Sequence, residues 1–331
     1  MKRNNTLTLF WRVVIVLFVA GTIILLYGRN NFILGTALIM FRWILMALGT
    51  FFLYLAVTRR TSIYITAVLS ISLGGILIEY SFNKFNEASL ESGEASIDVS
   101  LMTYNVFFKN VRPNSSISKI QTYNPDVLVV QELTPEWKTK LAKTIGRSYP
   151  YQSLFPLSGT HGIGVYSKHP IMNTELLDDN KHPYAQAVTL VIDGKRIRLF
   201  NVHLASPAIA VEHPEDFIGL FSANYEVRRK QLGKLNLIAD QAKHNFDVQL
   251  LVGDLNTVVY EPIYRDLLNH WVNLHDLAGN GWGYNFPNSA KVGPVTTLDY
   301  ILIKGKAKGV GTQVIEGGGS DHLAVSGKIR I

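Results

Sequence analysis

Six stretches of the sequence end an apolar run on a polar side chain that could hold a cation or move a proton. They are Leu-Met-Thr-Tyr-Asn105, Val-Leu-Val-Val-Gln-Glu132, Leu-Phe-Asn-Val-His203, Leu-Leu-Val-Gly-Asp254-Leu-Asn256, Thr-Leu-Asp299-Tyr and Gly-Ser-Asp321-His322. Taken singly, an Asp or Asn after a strand is a turn former or a helix cap. Six such ends in one chain are different, because strand ends in a packed sheet converge on one rim. Carboxylates, carboxamides and two imidazoles would then share a cleft. Asp254 and Asn256 are two residues apart, so in extended chain they point to the same side. Gly253 would let the backbone come close to whatever they hold. The donors are hard oxygens and the chain has no cysteine, which makes Mg²⁺ the natural metal, Mn²⁺ an alternative and a thiolate zinc site impossible. There is no GxxxxGK[ST] loop, and Gly317-Gly318-Gly319 leads into Ser-Asp-His rather than Lys-Ser, so it reads as a turn and not as a phosphate cradle.

The elements that must position these groups alternate short apolar runs with helical patterns. Strands are expected at Val99–Tyr104, Val127–Gln131, Gly162–Ser167, Ala187–Ile192, Arg196–Val202, Val248–Val252, Leu298–Ile303 and Leu323–Ile329. Helices are expected at Ser116–Tyr123, Pro135–Ile145, Tyr225–His244 and Pro262–Leu268. In the longest helix, Val227, Leu232, Leu235, Ile238, Ala239 and Ala242 would form the core stripe, with Arg228 and Arg229 on a solvated face or, as the alternative, steering a phosphate. The fold class is α/β, a layered sandwich rather than a bundle or a barrel.

Residues 1–80 differ from the rest. Three apolar runs, Phe10–Tyr27, Phe32–Val57 and Ile63–Tyr80, are near or above the ~20 residues that cross a hydrocarbon core, and three transmembrane helices are expected. This quarter holds seven basic residues against one acid, Glu79, while the remainder holds 25 basic against 24 acidic. Six of the seven net positive charges of the chain therefore belong to the N-terminal quarter, and the larger region has no general excess for a phosphate backbone. Arg42 lies inside the second run and must face a neighbouring helix, a headgroup or water. The Lys/Arg bias puts the N-terminus inside and everything after residue 80 outside. Residues 81–96, rich in Ser, Glu and Asn, read as a linker, and 97–331 as the catalytic domain.

The ordered series TYN, QEL, GIGVYSK, NVHL, GDLNT, TLDYIL and SDHLAV resembles the endonuclease/exonuclease/phosphatase superfamily, whose members include deoxyribonuclease-like nucleases and neutral sphingomyelinases. The likeness runs from about residue 98 to 331 and is that of a membrane-anchored, bacterial-type member. It implies a four-layer sandwich of two mixed β-sheets flanked by helices, here preceded by the three membrane helices. It further implies Glu132 as main metal ligand with Asn105 and Asp321 beside it, and Asp254 as the group that orients or deprotonates water. Asn256 would bind phosphate, His322 would stabilise charge while oriented by Asp299, and His203 would contact the phosphate or assist the leaving group. Asn285, in a loop where the resemblance more often has Thr, would at most contact substrate.

The expected activity is metal-dependent phosphoester hydrolysis, on a lipid headgroup or another envelope phosphoester. The expected setting is a bacterial cytoplasmic membrane, with the domain on the extracytoplasmic side, bound through residues 10–80 and implying no protein partner. The apolar clusters Ala208–Val211 and Phe217–Phe221 would either dip into the membrane or pack in the core. The alternative is a tethered nuclease on DNA or RNA with a basic groove from Lys291, Lys304, Lys306 and Lys308. An inactive scaffold is the third reading. Among the remaining histidines, only His161 is placed to reach the cleft.

Overall fold

The computed structural model describes residues 97–178, 182–259, 261–289, 291 and 293–331. The three expected membrane segments, Arg42 and the whole of the expected linker lie outside them. Among the described residues, no helix is long and apolar enough to cross a membrane. The chain divides into two units. One comprises Asn86–Val258 and Asp266–Ile331; the other comprises Met1–Phe85 and Val259–Arg265. Apart from Pro262–Arg265, the structure described below belongs to the first.

In chain order the elements are β1 (Asp98–Asn105), α1 (Pro113–Tyr123), β2 (Val127–Gln131), α2 (Pro135–Thr144), β3 (Tyr151–Phe155), β4 (Ile163–Ser167), β5 (Ile171–Asp178) and β6 (Pro183–Ile192). Then come β7 (Lys195–His203), α3 (Ala208–Glu212), α4 (Phe217–Gln241), β8 (Val248–Asp254), α5 (Pro262–Leu268), β9 (Val272–Asn273), α6 (Leu274–Ala278), β10 (Asp299–Gly305), β11 (Lys308–Ile315) and β12 (Ala324–Arg330). They form two mixed six-stranded sheets, ordered β11-β12-β1-β2-β4-β3 and β5-β6-β7-β8-β10-β9.

One apolar cluster draws on both sheets: Leu101, Val129 and Val165 from the first, Leu199, Leu250 and Ile301 from the second. It is the middle of a sandwich. A second cluster packs Met102, Tyr104, Leu128 and Val130 of the first sheet against Ile117 and Ile120 of α1 and Trp137 and Leu141 of α2. Thr134 caps α2 by accepting from the Trp137 amide, with Pro135 at the first helical position, so the turn and the helix start are written locally.

The central strands and the main helices lie where the sequence pattern puts them. Four strands are missing from that pattern: β3, β5, β9 and β11. They are the four outermost strands of the two sheets. An edge strand is covered on few sides, so its side chains need not alternate, and β5 is mostly exposed along its length. Helix α4 also begins eight residues before the expected Tyr225, because its first turns carry apolar residues on the outside. Its buried stripe is Tyr225, Arg228, Gln231, Leu232, Leu235 and Ala239. Val227 is exposed, and Ile238 and Ala242 are only half-buried. The expected stripe was therefore rotated, because a period count that scores only apolar residues cannot admit a buried Arg and Gln.

Gly253 has a tighter requirement than the sequence suggests. Its φ is +139°, and a Cβ there would lie 2.1 Å from the Val202 carbonyl oxygen and 2.9 Å from the Gln131 side-chain nitrogen. The close approach is thus to the neighbouring strand and the facing sheet, not to a ligand. Gly253→Ala should destabilise the domain by about 3 kcal/mol, from backbone strain and overpacking together. Thermal unfolding of the variant beside the wild type checks this; an unchanged midpoint would remove the argument.

Candidate active site

Side chains alternate faces along a strand, and that alternation builds the site. In β1, Val99 and Leu101 face the other sheet, so Thr103 and Asn105 do too. In β2 the same face carries Val127, Val129 and then Gln131. In β7 it carries Ile197, Leu199, Asn201 and His203; in β8, Val248, Leu250, Val252 and Asp254. Each strand is apolar in the middle of the sandwich and polar at one end. Register aligns those ends: Asn105 pairs with Gln131, His203 with Asp254 and Asp254 with Asp299 at the start of antiparallel β10. The turn before β12 adds Asp321 and His322.

Asp254 is the hub. It is buried, and its Oδ1 accepts from the Asn256 amide at 2.8 Å while Oδ2 accepts from Asn105 Nδ2 at 3.1 Å. His203 Nε2 lies 3.6 Å and His322 Nε2 3.8 Å from the same Oδ2. His203 Nδ1 contacts the Thr160 carbonyl at 3.0 Å; a proton on that nitrogen leaves Nε2 facing the hub. His161, next to Thr160, stacks face to face on His182 with ring centroids 3.8 Å apart.

Glu132 reaches the site by breaking the alternation. Its place after Gln131 would send it toward α2, but its φ is +58°, and a left-handed residue redirects the chain. Its carboxylate accepts from Asn105 Nδ2 at 3.2 Å and from the Phe108 amide at 2.9 Å. Asn105 thus bridges Glu132 and Asp254 with one amide nitrogen. Burial raises the Glu132 carboxyl above the usual range, against the pull of His203. Among the described residues no Lys or Arg side chain pairs with it. A buried carboxylate that lacks a basic side chain is one that a divalent cation suits.

His322 Nδ1 donates to Asp299 Oδ2 at 2.8 Å. Burial pushes His322 down, but the surrounding carboxylates of Asp299, Asp254 and Asp321 outweigh it and hold the imidazole well above its ordinary value. Burial pushes Asp299 up against the pull of His322. The pair shares a proton, which sits on His322 because three carboxylates favour it there. Asp254, Asp299 and His322 offer ligand atoms within 4.8 Å of one another. Neither Glu132 nor Asp321 belongs to that group. Asp321 is half-buried beside it, with Oδ1 3.4 Å from Ser320 Oγ. Asn256 has a φ of +47° and gives one amide hydrogen to the Leu204 carbonyl at 2.9 Å, which leaves its second N–H as a donor.

Several positioning groups were not legible as such. Gln131 Nε2 donates to Asn201 Oδ1 at 2.9 Å, and Asn201 Nδ2 to the Val130 and Gly164 carbonyls. These residues, two before His203 and one before Glu132, tie the two sheets together just below the site. Arg228, expected on a solvated face, is fully buried and donates to the Asn256 carbonyl and to Thr257 Oγ1. Three residues on, Gln231 Oε1 accepts from the Ala205 amide at 3.1 Å. One helix face thereby holds both loops that follow β7 and β8. Asn285 makes no substrate site of its side chain: it is buried, donating to the Asp299 carbonyl and accepting from the Leu298 and Asp299 amides. It anchors the strand end that carries Asp299. An RxxQ pair within a helix was the one available signal for the α4 contacts.

Three of the four lysines of the expected basic groove lie away from the site. Lys304 ion-pairs with Asp240 of α4, and Gly305, beside it in β10, is paired with Val248, at the opposite end of β8 from Asp254. Lys306 and Lys308 follow at that far end.

Residues 102–322 match the Endonuclease/Exonuclease/phosphatase family. Solved structures share the fold. TDP2 of D. rerio, complexed with single strand DNA product, has a TM-score of 0.56 at 16% identity, over 71% of this chain and 100% of its own. An endonuclease/exonuclease/phosphatase from Bacteroides vulgatus has a TM-score of 0.56 at 14% identity, over 71% and 99%. Beta toxin from Staphylococcus aureus has 0.54 at 17%, over 69% and 99%. No curated protein matches the sequence. Both the two-sheet sandwich and the sequence match over its motifs therefore agree: the chain belongs to the Endonuclease/Exonuclease/phosphatase family.

Proposed function

We propose that this protein is a divalent-metal-dependent phosphodiesterase that works at a membrane, on a lipid headgroup or another envelope phosphoester. The observation that carries the chemistry is the Asp254 carboxylate, held by Asn105 beside Glu132 and faced by two imidazoles. The three apolar runs before residue 81 support the setting, which we place on the extracytoplasmic side of a bacterial cytoplasmic membrane.

Glu132 would hold Mg²⁺ or Mn²⁺, with Asn105 and Asp321 at the edge of the site, and the ion would supply Lewis-acid stabilisation of charge on the phosphoryl oxygens. The remaining work falls to side chains. Asp254 orients the attacking water and takes its proton as the new P–O bond forms and the ester P–O bond breaks in line. His322, kept cationic by its carboxylates, donates from Nε2 to a phosphoryl oxygen. Asn256 offers its second N–H to another. His203 donates a proton to the leaving oxygen from Nε2, the nitrogen that the Thr160 contact leaves open, as that ester bond breaks.

The second reading, a tethered nuclease, has in its favour a fold shared with a protein seen with a DNA product. Against it stand the place of Lys304, Lys306 and Lys308 at the far end of β8 and the balanced charge of residues 81–331.

The test offers the full chain in mixed-lipid vesicles its own lipids, supercoiled DNA and bis(p-nitrophenyl) phosphate, with Mg²⁺ and then with chelator. Headgroup release without nicking, abolished by chelator, is expected. Nicking alone would overturn the lipid reading, and chelator-resistant turnover would overturn the metal. Glu132→Gln should raise the Mg²⁺ concentration for half-maximal rate by about 10–100-fold; an unchanged requirement would remove Glu132 as the ligand.

A further inference from the structure

Five residues after His203 the chain leaves the rim and turns outward. Helix α3 and the first turn of α4 pack against each other there, and only Ala210 of α3 is buried. Ile209 is 49% exposed, Val211 71%, Phe217 43% and Ile218 67%. Phe217 stacks on Phe221, ring centroids 5.6 Å apart. The sequence left open whether these clusters fill the core; the structure puts four of their large side chains outside.

We propose that Ile209, Val211, Phe217 and Ile218 form a docking surface for a zwitterionic lipid bilayer beside the active-site rim. This rests on the reading of the protein as membrane-associated. Two further observations choose the occupant. The sixteen residues 81–96 span at most about 55 Å when extended, so a membrane-held run ending at Tyr80 would tether the domain near a bilayer. Between Ala205 and Asn224 the charged residues are Glu212, Glu215 and Asp216, with no Lys or Arg. Such a segment is repelled by anionic lipid and admitted by a neutral surface. Two of the four, Phe217 and Ile218, lie on the helix whose buried face, at Arg228 and Gln231, holds the loops after β7 and β8. Seating it would present the rim to headgroups.

The cysteine-free chain makes a clean test. The full chain carrying Ile218→Cys labelled with an environment-sensitive fluorophore is reconstituted in phosphatidylcholine vesicles with and without spin-labelled acyl chains. Met172→Cys, on an exposed β5 position, is the control. Blue-shifted emission at 218, quenched by about half by spin label and far more than at 172, is the expected result for insertion to the headgroup–acyl boundary. Equal, water-like emission at the two positions would overturn the proposal. In parallel, the Ile209→Ser, Ile218→Ser double variant should lose about tenfold in turnover of vesicle lipid and none on bis(p-nitrophenyl) phosphate, since fewer inserted side chains weaken interfacial binding. Insertion at 218 without lipid turnover by the wild type would sink the lipid substrate and uphold the surface. Lipid turnover with no insertion would do the reverse.

Discussion

Asp254→Asn should lower kcat/KM on a phosphodiester by at least about 10³-fold, the scale of losing a general base together with transition-state electrostatics. The geometry makes this the most damaging conservative change in the domain. Asp254 Oδ2 faces the Asn105 amide and both imidazoles, and Oδ1 takes the Asn256 amide. An asparagine can keep one of those acceptor contacts, but whichever way it turns, its NH₂ meets a donor or an imidazole. It cannot accept a proton from water. It also removes one of the three carboxylates that hold His322 cationic. Single-turnover rates on bis(p-nitrophenyl) phosphate, with circular dichroism to show that the fold persists, decide the matter. A loss smaller than tenfold would assign the proton transfer elsewhere.

The second large effect is on pH dependence. His322 acts in its protonated form, so activity falls as pH rises through its folded pKa, and in the wild type that point lies well above the ordinary histidine value. Asp299→Asn removes the partner whose Oδ2 is 2.8 Å from Nδ1. Burial, which disfavours the cation, then loses its strongest opponent, and the alkaline limb of kcat/KM should move down by roughly 1–3 pH units. Above the displaced limb the rate should fall about tenfold per pH unit as neutral His322 accumulates, with at most about a twofold loss from this cause at neutral pH. The sign distinguishes this role from a structural one: a merely misfolded variant loses amplitude at every pH, whereas this one regains activity on acidification. A pH–rate profile whose limb stays in place would exclude Asp299 as the residue that keeps His322 charged. Asn285, which binds the Asp299 backbone on both sides, places that carboxylate but adds no charge. Its substitution should change amplitude rather than the limb.

The family, the two-sheet sandwich and the polar strand ends were all legible in the chain itself. The reason is local: a strand apolar in its middle and polar at its end displays that pattern wherever it packs, and Asn105, His203, Asp254 and Asp299 are such ends. Edge strands β3, β5, β9 and β11 were not legible, because burial on few sides leaves no alternation to read. Nor was the buried work of Arg228, Gln231, Gln131 and Asn201, since a polar residue shows its partner only when distant segments meet. The same limit explains Glu132, whose left-handed backbone turns it from the helix side into the site, and Gly253, whose missing side chain admits the Val202 carbonyl. Residue types and their spacing settled which groups could do chemistry. Register between strands, contacts from α4 and two left-handed residues decided which of them converge on Asp254, because convergence depends on packing between segments up to 215 residues apart.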